Sequence, residues 1–138
     1  MEQTAASKGA RVLGYFIDLL PALVIGFIFG LIPIIGAIIG GVVLGAYWLL
    51  RDVAGASLGK LLLGLRVVKK GGRESDTGER VLRNLPLAIG PALLVIPIAG
   101  YLLSPAIAFI AALVELVFRL AQGERVGDKL AGTMVVRK

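Results

Sequence analysis

A chain of 138 residues that is 57 % hydrophobic, with a mean hydropathy of +0.90, is too apolar to form a water-soluble domain without exposing large greasy patches. Its net charge of +6 and pI near 10.1 could suit nucleic acid, but the basic residues flank apolar stretches instead of alternating with aromatics. Anionic lipid headgroups are therefore the expected partner. With no cysteine and no histidine, disulfides, thiol chemistry and histidine-based metal sites or proton relays are excluded.

The 15 Lys and Arg residues all fall in three segments, 1–11, 51–83 and 119–138. Residues 12–50 carry one charge, Asp18, and residues 84–118 carry one, Glu115. A membrane-spanning helix needs about twenty apolar residues, so each uncharged stretch predicts two helices joined by a tight turn. The expectation is a multi-pass protein of the cell membrane with four spans. Positive charge stays on the cytoplasmic side, which puts both termini and the central loop inside. The uncharged tips near residues 30–33 and 103–105 should face outward. A cleaved signal peptide is disfavoured, because the apolar run continues past Pro33 with no small-residue cleavage site.

The first span is expected from Lys8 or Gly9 to about Gly30, and the second from Pro33 to Leu50. Span two carries Gly36-x-x-x-Gly40 and Gly41-x-x-x-Gly45, small-residue patterns that let helix backbones approach closely. Its exposed glycine faces are the candidate interface for a homo-oligomer. Ser57 should cap a short interfacial helix over residues 58–63, with Lys60 outward and Leu58, Leu61 and Leu62 facing the bilayer. Gly64 ends it, residues 65–69 alternate like a strand, and Gly71-Gly72 turns the chain. Asp76-Thr-Gly-Glu79 is a capping box for the helix that becomes span three. Pro86, Pro91 and Pro97 interrupt that span, and Ser104-Pro105 is expected to open span four. Broken helices mark binding sites in some transporters, although proline is also common in spans as a packing kink.

Shifting the chain by 68 residues aligns 51–70 with 119–138 without a gap. Arg51, Gly55, Gly59, Leu62, Gly64, Val67, Val68 and Lys70 meet Arg119, Gly123, Gly127, Leu130, Gly132, Val135, Val136 and Lys138. Arg83-Asn-Leu85 also echoes Arg11-Val-Leu13. The predicted fold class follows: a single domain over residues 1–138, an all-α membrane protein of two parallel pseudo-repeats, 8–70 and 76–138. Each repeat comprises a helical hairpin, an interfacial turn and a short cytoplasmic strand, and the two strands are expected to pair, since a lone strand leaves its backbone groups without partners.

Arg11-x-x-x-Tyr15-x-x-Asp18, Gly55-x-Ser57-x-Gly59-Lys60 and Asp128-Lys-x-x-Gly132-Thr133-x-Val-Val, in that order and spacing, resemble the RDD family, named for one arginine and two aspartates. The resemblance covers nearly the whole chain. It implies that Arg11, Asp18 and Asp128 are the name-giving residues. It also implies a role in ligand transport, with sodium–proton antiport credited to some members. Many relatives place a histidine before the second aspartate, where this chain has Gly127.

Asp18 lies two helical turns after Arg11, about 10.5 Å along the axis. An ionisable group inside a span costs on the order of 3 kcal/mol and marks a functional position by default. Asp18 should therefore face the bundle interior, with Arg11, Arg51 or Arg119 as its partner. Glu115 and Arg119 are spaced for an intrahelical ion pair. On the functional reading, Asp18 and Glu115 bind a proton or monovalent cation in a shallow cytoplasmic vestibule, balanced by Arg11, Arg51 and Arg119. Such exchange needs carboxylates that titrate near neutrality, which burial promotes. On the alternative reading, Arg11, Asp18, Arg51, Asp52 and Asp128, with Glu115 and Arg119, form a structural ion-pair network. Asp128 is expected to clamp the C-terminal strand, and Asp52, Lys60 and Thr133 to serve the structure. No nucleophile–base pair, phosphate-cradling loop or metal-ligand spacing is present, so neither catalysis nor a cofactor is expected. A transporter or ion exchanger is the first expectation, and a non-transporting membrane scaffold that binds lipid or protein is the second.

Overall fold

A computed structural model describes residues 4–138; the first three residues of the basic head lie outside the described residues. Two long helices, α1 (Lys8–Gly30) and α6 (Ala99–Gln122), have the length and apolarity to cross a membrane. Two shorter apolar segments accompany them. One is α2 (Ile35–Leu50, 16 residues); the other is α5 (Leu85–Ala92) continued by a single 3₁₀ turn, Leu93–Val95. Neither reaches the roughly 20 residues of an untilted span. Outward surfaces are apolar throughout this region, with Phe27 70 % and Leu102 76 % exposed, as suits contact with lipid.

The first hairpin follows the sequence pattern, with α1 ending at Gly30 and Ile34 leading into α2. The second tip does not. It lies at Ile96-Pro97-Ile98, and Ser104-Pro105 sits inside α6, where the Ser104 hydroxyl donates to the Gly90 carbonyl at 2.7 Å. The residue before a proline is driven out of the helical region, and Ile96 is extended with ψ 110°. The two tips are alike: Ile34 and Ile98 both take positive φ, 61° and 63°, each directly after a proline.

The glycines of α2 are used inside the chain. A Cβ on Gly41 would stand 2.7 Å from Leu94, and one on Gly40 would stand 2.8 Å from Phe29. Both glycine patterns are buried against the chain's own helices and are not free for a second copy. Beside them, Trp48 packs with Ala22, Leu87 and Ala88, and Tyr15 stacks on its ring at 5.6 Å.

At the charged end, α3 (Leu58–Leu62) precedes β1 (Leu65–Lys69), and α7 (Val126–Ala131) precedes β2 (Thr133–Arg137). The strands pair antiparallel, from Leu65 opposite Arg137 to Lys69 opposite Thr133. The N-terminal head joins them through Ala6 N–H donating to the Val135 carbonyl at 3.0 Å. Leu65, Val135 and Ala6 form the core under this small sheet. The chain head, the central loop and the C-terminal strand therefore meet at one pole. Between the strands, α4 (Thr77–Leu82) starts on the expected capping box of Asp76 and Glu79, but it stops at Arg83-Asn84 before α5 begins.

Candidate functional site

The interior of this pole is charged where the rest of the chain is greasy. Asp18, Asp52, Glu115 and Asp128 are all at most 3 % exposed, and so are Arg83 and Arg125. Isolated charges in such surroundings are prohibitively costly, so each must find opposite charge or hydrogen bonds.

Asp18 projects from α1 onto the start of α3. Its carboxylate accepts from the Ser57 hydroxyl at 2.6 Å, the Gly59 amide at 2.7 Å and Arg51 Nη1 at 3.4 Å. Among the three arginines expected as partners, Arg51 makes the ion pair. Its guanidinium also lies 4.7 Å from the Trp48 ring centre and donates to Asn84. Arg11 turns away and donates to the Gly123 carbonyl at 2.5 Å. Arg119 donates to the Arg11 carbonyl at 3.1 Å and faces the Tyr15 ring. Ser57 heads α3 as expected, yet its hydroxyl makes no cap bond, because Asp18 takes it.

Glu115 holds the matching place on the other half. Its carboxylate accepts from the Gly127 amide at 3.1 Å and lies 3.8 Å from Arg125 Nε. The expected intrahelical pair with Arg119 is replaced by this arrangement, since α7 folds back across α6 and brings Arg125 to the buried carboxylate. Gly59 and Gly127 are equivalent in the 68-residue repeat, so one backbone position serves a membrane carboxylate in each half. Both positions demand glycine: a Cβ would stand 2.0 Å from the Gly14 carbonyl oxygen and 1.8 Å from that of Arg83, respectively.

Between these two carboxylates lies a linking group. Asp52, fully buried, accepts from Lys60 Nζ at 2.6 Å and Asn84 Nδ2 at 3.0 Å, with Arg83 Nε at 3.8 Å. Lys60 therefore points inward, contrary to the outward placement expected on a short amphipathic helix, while Leu58, Leu61 and Leu62 are exposed as expected. The reason is the buried carboxylate of Asp52, eight residues earlier. Asp128 lies 2.6 Å from Arg83 Nη2 and accepts from the Arg125 backbone amide at 3.4 Å, so it caps α7 and ties it to the end of α4; its side chain does not reach β2. Thr133, also fully buried, starts that strand, and its hydroxyl has no hydrogen-bond partner in the described structure.

Burial pushes the Asp128 carboxyl up, but Arg83, Arg125 and the backbone amide outweigh it and hold the group at about 2. Asp52 is likewise held well below the usual carboxylate range by Lys60, Arg83 and Arg51 against its own burial. Lys60 goes the other way. Burial first, then Arg51, Arg83 and Arg125, bring its ammonium from 10.5 down to about 7 despite Asp52. Between those values the unfolded chain holds this proton and the folded chain does not, so Lys60 makes stability rise with pH across that window. Thermal melts in detergent will show this rise in wild type and lose it in Lys60→Met; an equal slope in both contradicts the assignment.

A cavity of about 10 Å³, room for one water-sized occupant, lies at the centre, lined by Asp18 and Asp128 and by six cations: Arg11, Arg51, Lys60, Arg83, Arg119 and Arg125. Glu115 does not line it. That residue instead stands, with Arg119, at the side of an apolar groove of about 150 Å³ between α1 and α6, bordered by Tyr15, Phe16, Phe109 and Leu113. Arg83, Asn84 and Arg125, central to the network, escaped sequence reasoning. The repeat held a signal for one of them, since Arg125 falls opposite Ser57, the other residue that precedes a short helix and touches a membrane carboxylate.

An apolar exterior around a buried ion-pair network at one pole defines a helical membrane protein. The family model for the RDD family matches residues 5–132. The chain belongs to the RDD family. No match was found among curated proteins or among solved structures.

Proposed function

We propose that this RDD-family chain is a multi-pass transporter or ion exchanger of the cell membrane, with Asp18 as the residue that exchanges a proton or monovalent cation. The observation that carries this reading is Asp18 itself. It is a carboxylate 1 % exposed on a helix of membrane-spanning length, bordering a small polar cavity that opens among arginines. Buried ionic networks add little stability over well-packed apolar side chains, so one this large calls for a use beyond holding helices together. In this reading all four apolar segments lie within the bilayer as two parallel halves. Both termini are cytoplasmic, with the charged pole at the inner leaflet. The meeting of the chain head, the central loop and the C-terminal strand supports that topology. Segments this short enclose no wide pathway, and a homo-oligomer would provide the remaining wall through its outer apolar faces.

The test is ion flux in proteoliposomes. A pH gradient will drive cation-coupled proton movement through wild type, and Asp18→Asn will lower it at least tenfold while Trp48 fluorescence stays native. Folded wild type that moves no tested cation or proton ends this reading.

The second reading, a non-transporting scaffold for lipid or protein, is favoured by one specific feature. The central cavity has room for one water-sized body and leaves Glu115 outside, so Asp18 and Glu115 border different cavities. Co-purification of a stoichiometric lipid or protein with flux-inactive wild type is its expected signature.

A further inference from the structure

We propose that the groove between α1 and α6 binds one anionic glycerophospholipid, its phosphate held by Arg119 and an acyl chain lying along Phe16, Phe109 and Leu113. Three observations lead there. The first is an arginine with no acid of its own. Arg119 borders the groove at 6 % exposure, and its one hydrogen bond runs from Nη1 to the Arg11 carbonyl. Nε and Nη2 have no partner among the described residues, and no carboxylate stands within ion-pair distance. The two acids that act on it are engaged elsewhere: Glu115 accepts from the Gly127 amide beside Arg125, and Asp128 lies against Arg83. Arg51, its counterpart in the 68-residue repeat, has both Asp18 and Asn84. Buried guanidinium donors are nearly always satisfied, so Arg119 calls for an acceptor from outside the chain.

The second is where cations gather. Lys8 donates to the Leu120 carbonyl at 2.7 Å and Arg11 to that of Gly123, so both stand at the charged end of the seam between α1 and α6. Neither makes an ion pair among the described residues. They cover the last carbonyls of α6, and a phosphate arriving there meets cationic donors instead of a bare helix C-terminus.

The third is shape. Arg119 and Phe109 are ten residues apart on α6, about 15 Å, which is one leaflet's share of a hydrocarbon core about 30 Å thick. Phe16, Phe109 and Leu113 along that length are 55 %, 68 % and 48 % exposed, so the groove seats a chain without enclosing it. A soluble anion would leave those walls unused, and a zwitterionic lipid would bring its ammonium among Lys8, Arg11 and Arg119. The site rests on this chain being a membrane protein and on neither reading of its function.

The experiment uses the full chain in a non-ionic detergent, stripped of lipid and offered equal amounts of phosphatidylglycerol and phosphatidylcholine with the same acyl chains. Native mass spectrometry will show a single phosphatidylglycerol retained per chain, with phosphatidylcholine at least tenfold weaker. Arg119→Gln will lower phosphatidylglycerol affinity about tenfold, the worth of one charge-assisted hydrogen bond. Should that variant fail to fold, Leu113→Trp, which fills the groove from its lipid-facing side and leaves every charge in place, will lower the affinity instead. Arg66→Gln removes an exposed cation of β1 outside the groove and will leave the affinity unchanged. Glycerol phosphate will not compete. Equal retention of the two lipids, wild-type affinity in folded Leu113→Trp, an Arg66→Gln loss as large as that of Arg119→Gln, or competition by glycerol phosphate overturns the proposal.

Discussion

Asp52→Ala will destabilise the protein by about 3–5 kcal/mol, the usual cost of removing one partner from a buried charge pair. Asp52 is the group through which the two halves of the network communicate. It faces Lys60 and Asn84 directly and stands 3.8 Å from Arg83. Without it, Lys60 and Arg83 remain among arginines with no carboxylate at the centre. The single tryptophan reports on this region, because Trp48 lies under Arg51. Thermal unfolding followed by its fluorescence in detergent measures the loss, and a change below about 1 kcal/mol contradicts the role. The pH dependence has a definite sign. A carboxylate held well below its usual range stabilises the fold above that range and loses its contribution as pH falls. Asp52→Ala will therefore flatten the acid side of the stability curve. Coupling the change to Lys60→Met, which removes the buried amine left without its partner, will restore part of the loss.

Gly127→Ala will cost on the order of 3 kcal/mol, because two penalties coincide at one position. The added methyl meets the Arg83 carbonyl oxygen at 1.8 Å, a backbone atom that cannot rotate away. Pushing α7 outward to relieve that contact breaks the bond from the Gly127 amide to Glu115, leaving a buried carboxylate dependent on Arg125 alone. Ala131 on the same short helix is the natural control. It is also buried, and Ala131→Gly changes packing without steric conflict, so it should cost far less than Gly127→Ala. Equal melting temperatures for Gly127→Ala and wild type would show that α7 does not need its close approach to Arg83.

Much of this arrangement was legible wherever the signal was local. The bounds of α1, the end of α2, the strand after Gly64 and the Asp76–Glu79 capping box all follow from residues within a few positions of one another. The second hairpin tip was misplaced because Ser104-Pro105 has the form of a helix opening and Pro97 that of a kink. The sequence does carry the signal, since Ile96-Pro97-Ile98 repeats Ile32-Pro33-Ile34, and the fold gives both the same turn. Lys60 was misdirected for a different reason. A helix of five residues has too little periodicity to orient one side chain, and a buried acid from outside the helix decided the matter. The choice of Arg51 for Asp18 could not come from spacing, since three arginines stood at similar depth. Arg83 and Arg125 were overlooked because basic residues beside apolar segments read as headgroup contacts, and their burial arises from folding of α4 and α7 over the pole.

The antiparallel register of β1 and β2 also bears on how such a molecule can move. Five residues from each half are laced together on one side, and each adjoining short helix is seated on a backbone carbonyl through a glycine with no room to spare. Rocking of one half against the other would have to shear that lacing, so the charged end acts as the spine of a book. Freedom to part is left at the far edge, where Ile34 and Ile98 already hold the two bends in an uncommon backbone geometry.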